Sequence, residues 1–386
     1  MTVRADEDVL RVRREHLETR TLVLAEHKLL YLPVPKTGWT SLLWLLADLA
    51  GIPAERFYGS LKSEVTNSLL NHDMGIWGEQ ERRLTNLSPG DRERALHEDG
   101  WLRFVVVREP AERLWSAWQS KLLMREPTYV RWFGGAKWFP RVPETAEDVL
   151  TDFRTFVGVL AEKFAKGEFR DPHWRPQHDL VDSLPINHIG YVDRLDEMVA
   201  TLRQHVGDHP AFTHGLRRDN RMLLRYHPAV YDAPAAATVG EVFVGDVERF
   251  GFAPFVHVDD GAAVDEWKGH AAEQLPLLRQ LVARHERMLT YEAAVQERDE
   301  RRLQQIADLN AQLTQTETAR RRAEVGAAEV ERVLEATEAK LDKARVRVAR
   351  LSRKAAKQKA RAERVLDSFS WRVTAPLRAV RRSFRR

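Results

Sequence analysis

The 386-residue sequence has no cysteine. That absence removes disulfide frameworks, thiolate-ligated zinc and cysteine nucleophiles, and it suits a reducing compartment. Long apolar runs are missing too. Asp48 interrupts the best candidate for a spanning helix, short of the roughly eighteen uninterrupted apolar residues that crossing a bilayer requires. The N-terminal stretch MTVRADEDVLRVRREHLETR mixes both signs of charge and lacks the apolar centre of a signal peptide, so a cytosolic protein is expected. No HExxH pair, EF-hand loop or cysteine cluster is present, so no metal is expected.

What is present divides the chain in three. Residues 1–258 read as a globular domain: 43% of the whole chain is hydrophobic, and nine of the eleven tryptophans precede residue 255. Residues 265–365 have almost no Gly or Pro beyond Leu275 and are rich in Ala, Glu, Gln, Arg and Leu, the composition of a long helical stalk. Leu303, Ile306 and Leu313 follow an a/d spacing with Asn310 at an a position. Val330, Leu334, Leu341, Ala344, Val348 and Leu351 form a second run, out of phase by a slip near Gly326. A long C-terminal coiled-coil helix and a homo-oligomer are therefore expected. Net charge is only +4, yet residues 343–386 carry 16 Lys and Arg against 2 Asp and Glu, or +14, leaving −10 on residues 1–342. Residues 366–386 interleave Phe369, Trp371, Leu377 and Phe384 with arginines. That pattern suits the anionic face of a membrane better than nucleic acid, so peripheral attachment at the inner face of the plasma membrane is expected.

Within the globular part, residues 28–34, 102–107 and 187–192 are short apolar runs of the kind buried in parallel sheets, and residues 40–50 and 111–124 read as helices following the first two. The fold class is α/β, with a parallel sheet flanked by helices. In such sheets ligands sit at the turn after a strand, where the next helix offers unpaired N–H groups and the positive end of its dipole. The turn Pro35-Lys36-Thr37-Gly38-Trp39-Thr40-Ser41 places a lysine, a flexible glycine and three hydroxyls there. It reads as a phosphate site, although Lys36 precedes the glycine and the order is not that of a Walker A loop. The next strand, FVVV, runs into REPAERLWSAWQSK, with Arg108, Arg113, Ser116 and Lys121 at its end or on the following helix. Arg108 and Ser116 could meet on one anion. Arg113 admits two readings, anion ligand or ion pair with Glu109 four residues earlier.

These segments resemble a known family. PKTGWTS looks like the 5′-phosphosulfate loop, and REPAERLWSAW the 3′-phosphate motif, of carbohydrate sulfotransferases that use 3′-phosphoadenosine 5′-phosphosulfate (PAPS). DPHWRPQHDL at 171–180, GYVDRLDEM and VFVGDVERFGF follow in the family's order, with Glu109 where Asp is usual. The resemblance implies a P-loop-like fold and a PAPS-dependent enzyme. Lys36, Thr37, Gly38, Trp39, Thr40 and Ser41 would surround the 5′-phosphosulfate, Lys36 also acting catalytically, and Arg108 and Ser116 would hold the 3′-phosphate. It further implies a hydroxyl or amine of a carbohydrate or glycolipid as acceptor. His72, in NHDMG between the two phosphate motifs, is the expected base, with His173 the competitor. Basic tails after coiled coils also resemble those of some bacterial enzymes of surface-polysaccharide assembly. The rival reading is a non-catalytic coiled-coil scaffold carrying a degenerate nucleotide domain.

Overall fold

Buried strands of Leu, Val and Phe must be covered on both faces, because successive side chains point to opposite sides. The computed structural model, which describes residues 20–58, 74–79, 82–166, 171–217, 222–323 and 337–360, meets that requirement. Four strands, β1 (Leu22–Leu24), β2 (Leu29–Leu32), β3 (Leu102–Val107) and β4 (His188–Tyr191), lie side by side in that order. β2, β3 and β4 are parallel, with Tyr31 opposite Phe104 and Val105 opposite Ile189, while β1 is an antiparallel edge strand. The three parallel strands fall where the apolar runs placed them. β1 was missed because three residues are too few to establish a period.

Alternation then sets the layers. Tyr31, Phe104 and Val106 pack on one face against α1 (Trp39–Leu49) and Met198 and Leu202 further along the chain. Leu30, Leu32, Val105 and Val107 pack on the other against Leu96 of α2 (Pro89–His97), Val181 and Phe250. β3 leads into α3 (Pro110–Trp118), which widens into a single π turn over Gln119–Leu123. After α4 (Pro127–Phe133) comes α5 (Ala146–Ala165), opened by a reciprocal capping box between Thr145 and Asp148. α6 (Leu195–Val206), α7 (Ala233–Val242) and α8 (Val244–Phe250) precede α9 (Gly261–Ala323). A second, all-helical core joins Trp115 and Trp118 of α3 to Phe153 and Phe156 of α5, Val239 of α7, and Trp267, Leu275, Leu278 and Val282 of α9.

The first compact unit accordingly extends to His285 rather than ending near 258. The opening turns of α9 present Trp267, Leu275 and Leu278 to the globular core, which the charged composition around them concealed. In the second unit, α9 beyond residue 286 carries a half-buried stripe of Val295, Asp299, Arg302, Ile306, Leu309 and Leu313, and a helix over 337–360 carries another of Leu341, Ala344, Val348, Leu351, Ala355 and Gln358. Both stripes have heptad spacing. The register expected from sequence is corrected here: Ile306 and Leu313 lie on the stripe, but Leu303 is 66% exposed and Asn310 is exposed. The Arg302 guanidinium donates to Gln358 Oε1 at 3.1 Å. Residues 323 and 337 each lie 21 positions from that contact (323 − 302 and 358 − 337). A parallel pairing would separate them by about 63 Å, beyond the roughly 50 Å that 14 chain steps can span, so the two helices run antiparallel within one chain. Val330, Leu334, Gly326 and the tail 366–386 lie outside the described residues. Among the described residues, no helix is long and apolar enough to cross a membrane.

Candidate active site

Two turns leave the sheet side by side, at the C-terminal ends of β2 and β3. The first begins at Val34, whose carbonyl accepts from the Thr37 hydroxyl at 2.8 Å, so this hydroxyl closes the turn. Lys36 and Gly38 both have positive φ, 71° and 78°. The glycine adopts that geometry freely, whereas the lysine is held in a region that side-chain-bearing residues avoid, a cost met mostly at functional positions. A Cβ on Gly38 would also stand 3.2 Å from the Leu195 side chain. Gly38 is the N-cap of α1, no side chain caps that end of the helix, and the positive end of the helix dipole faces the turn.

Lys36 Nζ donates to Ser120 Oγ at 2.8 Å. Burial lowers its pKa to about 7, and Lys121 and Arg108 nearby push in the same direction. Lys121 is paired with Glu126 at 2.6 Å and Arg108 with Glu112 at 2.6 Å, but no carboxylate among the described residues lies within ion-pair distance of Lys36. A lysine buried beside other cations is charged more readily when an anion is near.

The second turn is built differently. Glu109 caps α3, accepting from the N–H groups of Ala111 and Glu112 at 2.9 and 2.6 Å. Burial raises the Glu109 carboxyl above its ordinary value. Arg108 donates to the Lys36 carbonyl at 3.3 Å, which joins the two turns directly. Ser116 is buried on α3 and is not hydrogen-bonded to Arg108 among the described residues. Arg113 takes neither expected role. Its guanidinium is buried and donates to the carbonyls of Pro35, Arg175 and Pro172 at 2.9, 2.7 and 2.5 Å, tying the first turn to the segment 171–178.

A sequence model of the sulfotransferase family matches residues 19–253, well over half the chain. The chain belongs to the sulfotransferase family. Nothing matches among curated proteins, and nothing among solved structures.

Within the matched range, residues 171–178 and the segment around Asp246 act as braces and as a second polar centre. Gln177 receives the Arg108 N–H at 2.9 Å and returns a bond to the Arg108 carbonyl at 2.7 Å, fixing the end of β3. Fully buried Asp246, from the closing segment, accepts from the N–H groups of Gln177 and His178 and from His178 Nδ1. Asp171 accepts from the His173 N–H at 2.8 Å, lies 2.6 Å from His173 Nδ1, and accepts from the Tyr129 hydroxyl at 2.8 Å. Burial pushes the Asp171 carboxyl up, but His173 and Tyr129 outweigh it and hold it well below the usual carboxylate range. Burial, reinforced by Lys121, lowers the His173 pKa to about 3. Among the described residues no group of three or more His, Asp and Glu side chains is placed to hold a metal.

Of the expected site residues, the structure brings Lys36, the α1 N-terminus and Arg108 together, and His72 lies outside the described residues. Sequence reasoning missed Ser120, which the π turn carries to Lys36, and the contacts of Asp171 with His173 and Tyr129. An Asp two residues before a His was the available signal.

Proposed function

We propose that this chain moves a sulfuryl group from PAPS to a hydroxyl or amine of a carbohydrate or glycolipid acceptor. The observation that carries the reading is the pair of cationic turns at neighbouring strand ends, bonded to each other through Arg108 and the Lys36 carbonyl, in a member of the sulfotransferase family. A donor with two separated anionic groups suits two such turns. Lys36 and the first N–H groups of α1 would hold the 5′-phosphosulfate, with the Thr40 and Ser41 hydroxyls beside them. Arg108 and Ser116 would hold the 3′-phosphate.

In-line attack by the acceptor spreads negative charge onto the oxygen bridging sulfur and phosphorus. An ammonium and helix N–H groups fixed at that oxygen stabilise the leaving group without reorganising. The carbohydrate acceptor draws support from α4, where Trp132 is 61% exposed, its ring centroid 5.6 Å from that of Tyr129. Such a ring offers an apolar face to a sugar beside the polar centre. The tail 366–386 is read as the element that brings the enzyme to an anionic membrane surface.

Calorimetry with adenosine 3′,5′-bisphosphate, compared against ATP, tests the reading. Binding of the bisphosphate at least tenfold tighter than ATP is expected. Equal affinities, or no binding, would favour the non-catalytic scaffold.

A further inference from the structure

Transfer to a hydroxyl releases a proton, and a positioned group that takes it contributes roughly 10²–10⁴-fold. Such a group must be neutral at working pH, hold one lone pair toward the acceptor and be fixed by its other contacts. His173 meets these conditions. Its Nδ1 lies 2.6 Å from Asp171 Oδ1, so the proton on Nδ1 points at the carboxylate. Tyr129 Oη is 2.9 Å from the same nitrogen and donates to the other carboxylate oxygen, fixing the plane of the pair. Nε2 makes no hydrogen bond among the described residues, and the side chain remains 16% exposed, enough for an acceptor to reach it. The Arg113 guanidinium grips the carbonyl preceding Lys36 and the carbonyl preceding His173, which ties the two backbone segments together, and the imidazole feels the charge of Lys36.

We propose that His173, oriented by Asp171 and Tyr129, is the general base of the transfer, in place of His72. The proposal rests on the donor reading above. As the acceptor oxygen bonds to sulfur, the bond from sulfur to the bridging oxygen breaks. The electron pair leaves on the 5′-phosphate of adenosine 3′,5′-bisphosphate, and the acceptor's proton passes to His173 Nε2. Among the described residues, the charged groups around Asp171, His173 and Tyr129 include Lys36, Lys121, Arg20 and Arg113, and Glu126, which pairs with Lys121. Burial, reinforced by Lys121 and Lys36, keeps the imidazole neutral in the free protein, and the negative donor, once bound, raises its proton affinity when the proton must be taken. Asp171 and Tyr129 are positioning residues, since neither need touch the acceptor.

The readout is release of labelled sulfate from PAPS by the full chain with no sugar supplied, where water is the acceptor. His173→Gln is expected to lower that release at least 100-fold while the Kd for adenosine 3′,5′-bisphosphate moves less than threefold, and His72→Ala to lower it less than threefold. Asp171→Asn, which preserves size, should lower release about tenfold at unchanged Kd, and added imidazole should restore release to His173→Ala. Long-range ¹H–¹⁵N spectra of the unliganded protein at pH 7 should show His173 protonated on Nδ1 alone. A proton on Nε2, unchanged release by His173→Gln, or no enzyme-dependent release from protein that binds the bisphosphate would overturn the base assignment. Failure of the wild-type chain to bind the bisphosphate would instead overturn the donor reading. Should His173→Gln fail to fold, the wild-type spectrum and Asp171→Asn decide alone.

Discussion

The two strand-end turns are nearly the same device made twice, yet one is open and the other is closed on itself. After β2 the helix begins at a glycine with no side-chain cap, and among the described residues Lys36 Nζ hydrogen-bonds the Ser120 hydroxyl and forms no ion pair. After β3 the helix begins at Glu109, which consumes two N–H groups, and Arg108 is already paired with Glu112. An anion arriving at the first turn meets uncompensated positive charge. At the second it must compete with a resident carboxylate. Affinity and transition-state stabilisation should therefore concentrate at the first turn, while the second chiefly positions the nucleotide.

The largest expected effect breaks the open turn. Lys36→Ala should reduce transfer of labelled sulfate by about 10²–10³-fold, the scale for losing one charge-stabilising group, with the fold retained by circular dichroism. Near-normal transfer would show that the open turn is not the reacting one. Removing the strap between the turns comes next. Arg113→Met leaves three buried carbonyls without their donor and should lower unfolding stability by about 3–5 kcal/mol in urea titrations, whereas a surface arginine would lower it by under about 0.5 kcal/mol.

Smaller effects sharpen the contrast. Arg108→Ala should weaken adenosine 3′,5′-bisphosphate about 10- to 100-fold, within the range for removing a charge-assisted partner. Glu112→Gln should act oppositely and tighten the bisphosphate several-fold, because it removes the resident competitor; weakening instead would mean that the carboxylate orients Arg108 for the ligand. The smallest effect is in pH. Lys36 is charged below about 7 and loses its proton above it, and bound anion favours the charged form. Bisphosphate affinity should be flat below pH 7 and fall as pH rises past it, by at most about tenfold per pH unit. Lys36→Ala should flatten that limb in a calorimetric pH series.

The sheet and the open turn were legible because their signals are local. Apolar runs of four to six residues mark buried strands, and a glycine between a lysine and two hydroxyls marks a helix start suited to an anion. The same locality misled at Arg113, where a helix-face pair with Glu109 was the neighbourly choice. The three carbonyls it holds are contributed by segments about 60 and 80 residues away, and no period in the sequence reports them. His173 was set aside for a related reason. Its partner Tyr129 lies 44 residues earlier, beyond the reach of any local pattern. In the stalk the register differs: Leu303 satisfies a heptad by hydrophobicity, but the half-buried stripe passes through Arg302 and Leu309. Long aliphatic stems of charged residues cover such seams as readily as leucine does.

The most direct test of the two-turn account is a crystal structure of the full chain with adenosine 3′,5′-bisphosphate. The account predicts the 5′-phosphate against Lys36 Nζ and the N–H groups at the start of α1, and the 3′-phosphate against Arg108 with its bond to Glu112 broken. A nucleotide bound elsewhere, or one whose phosphates leave Lys36 untouched, would contradict it.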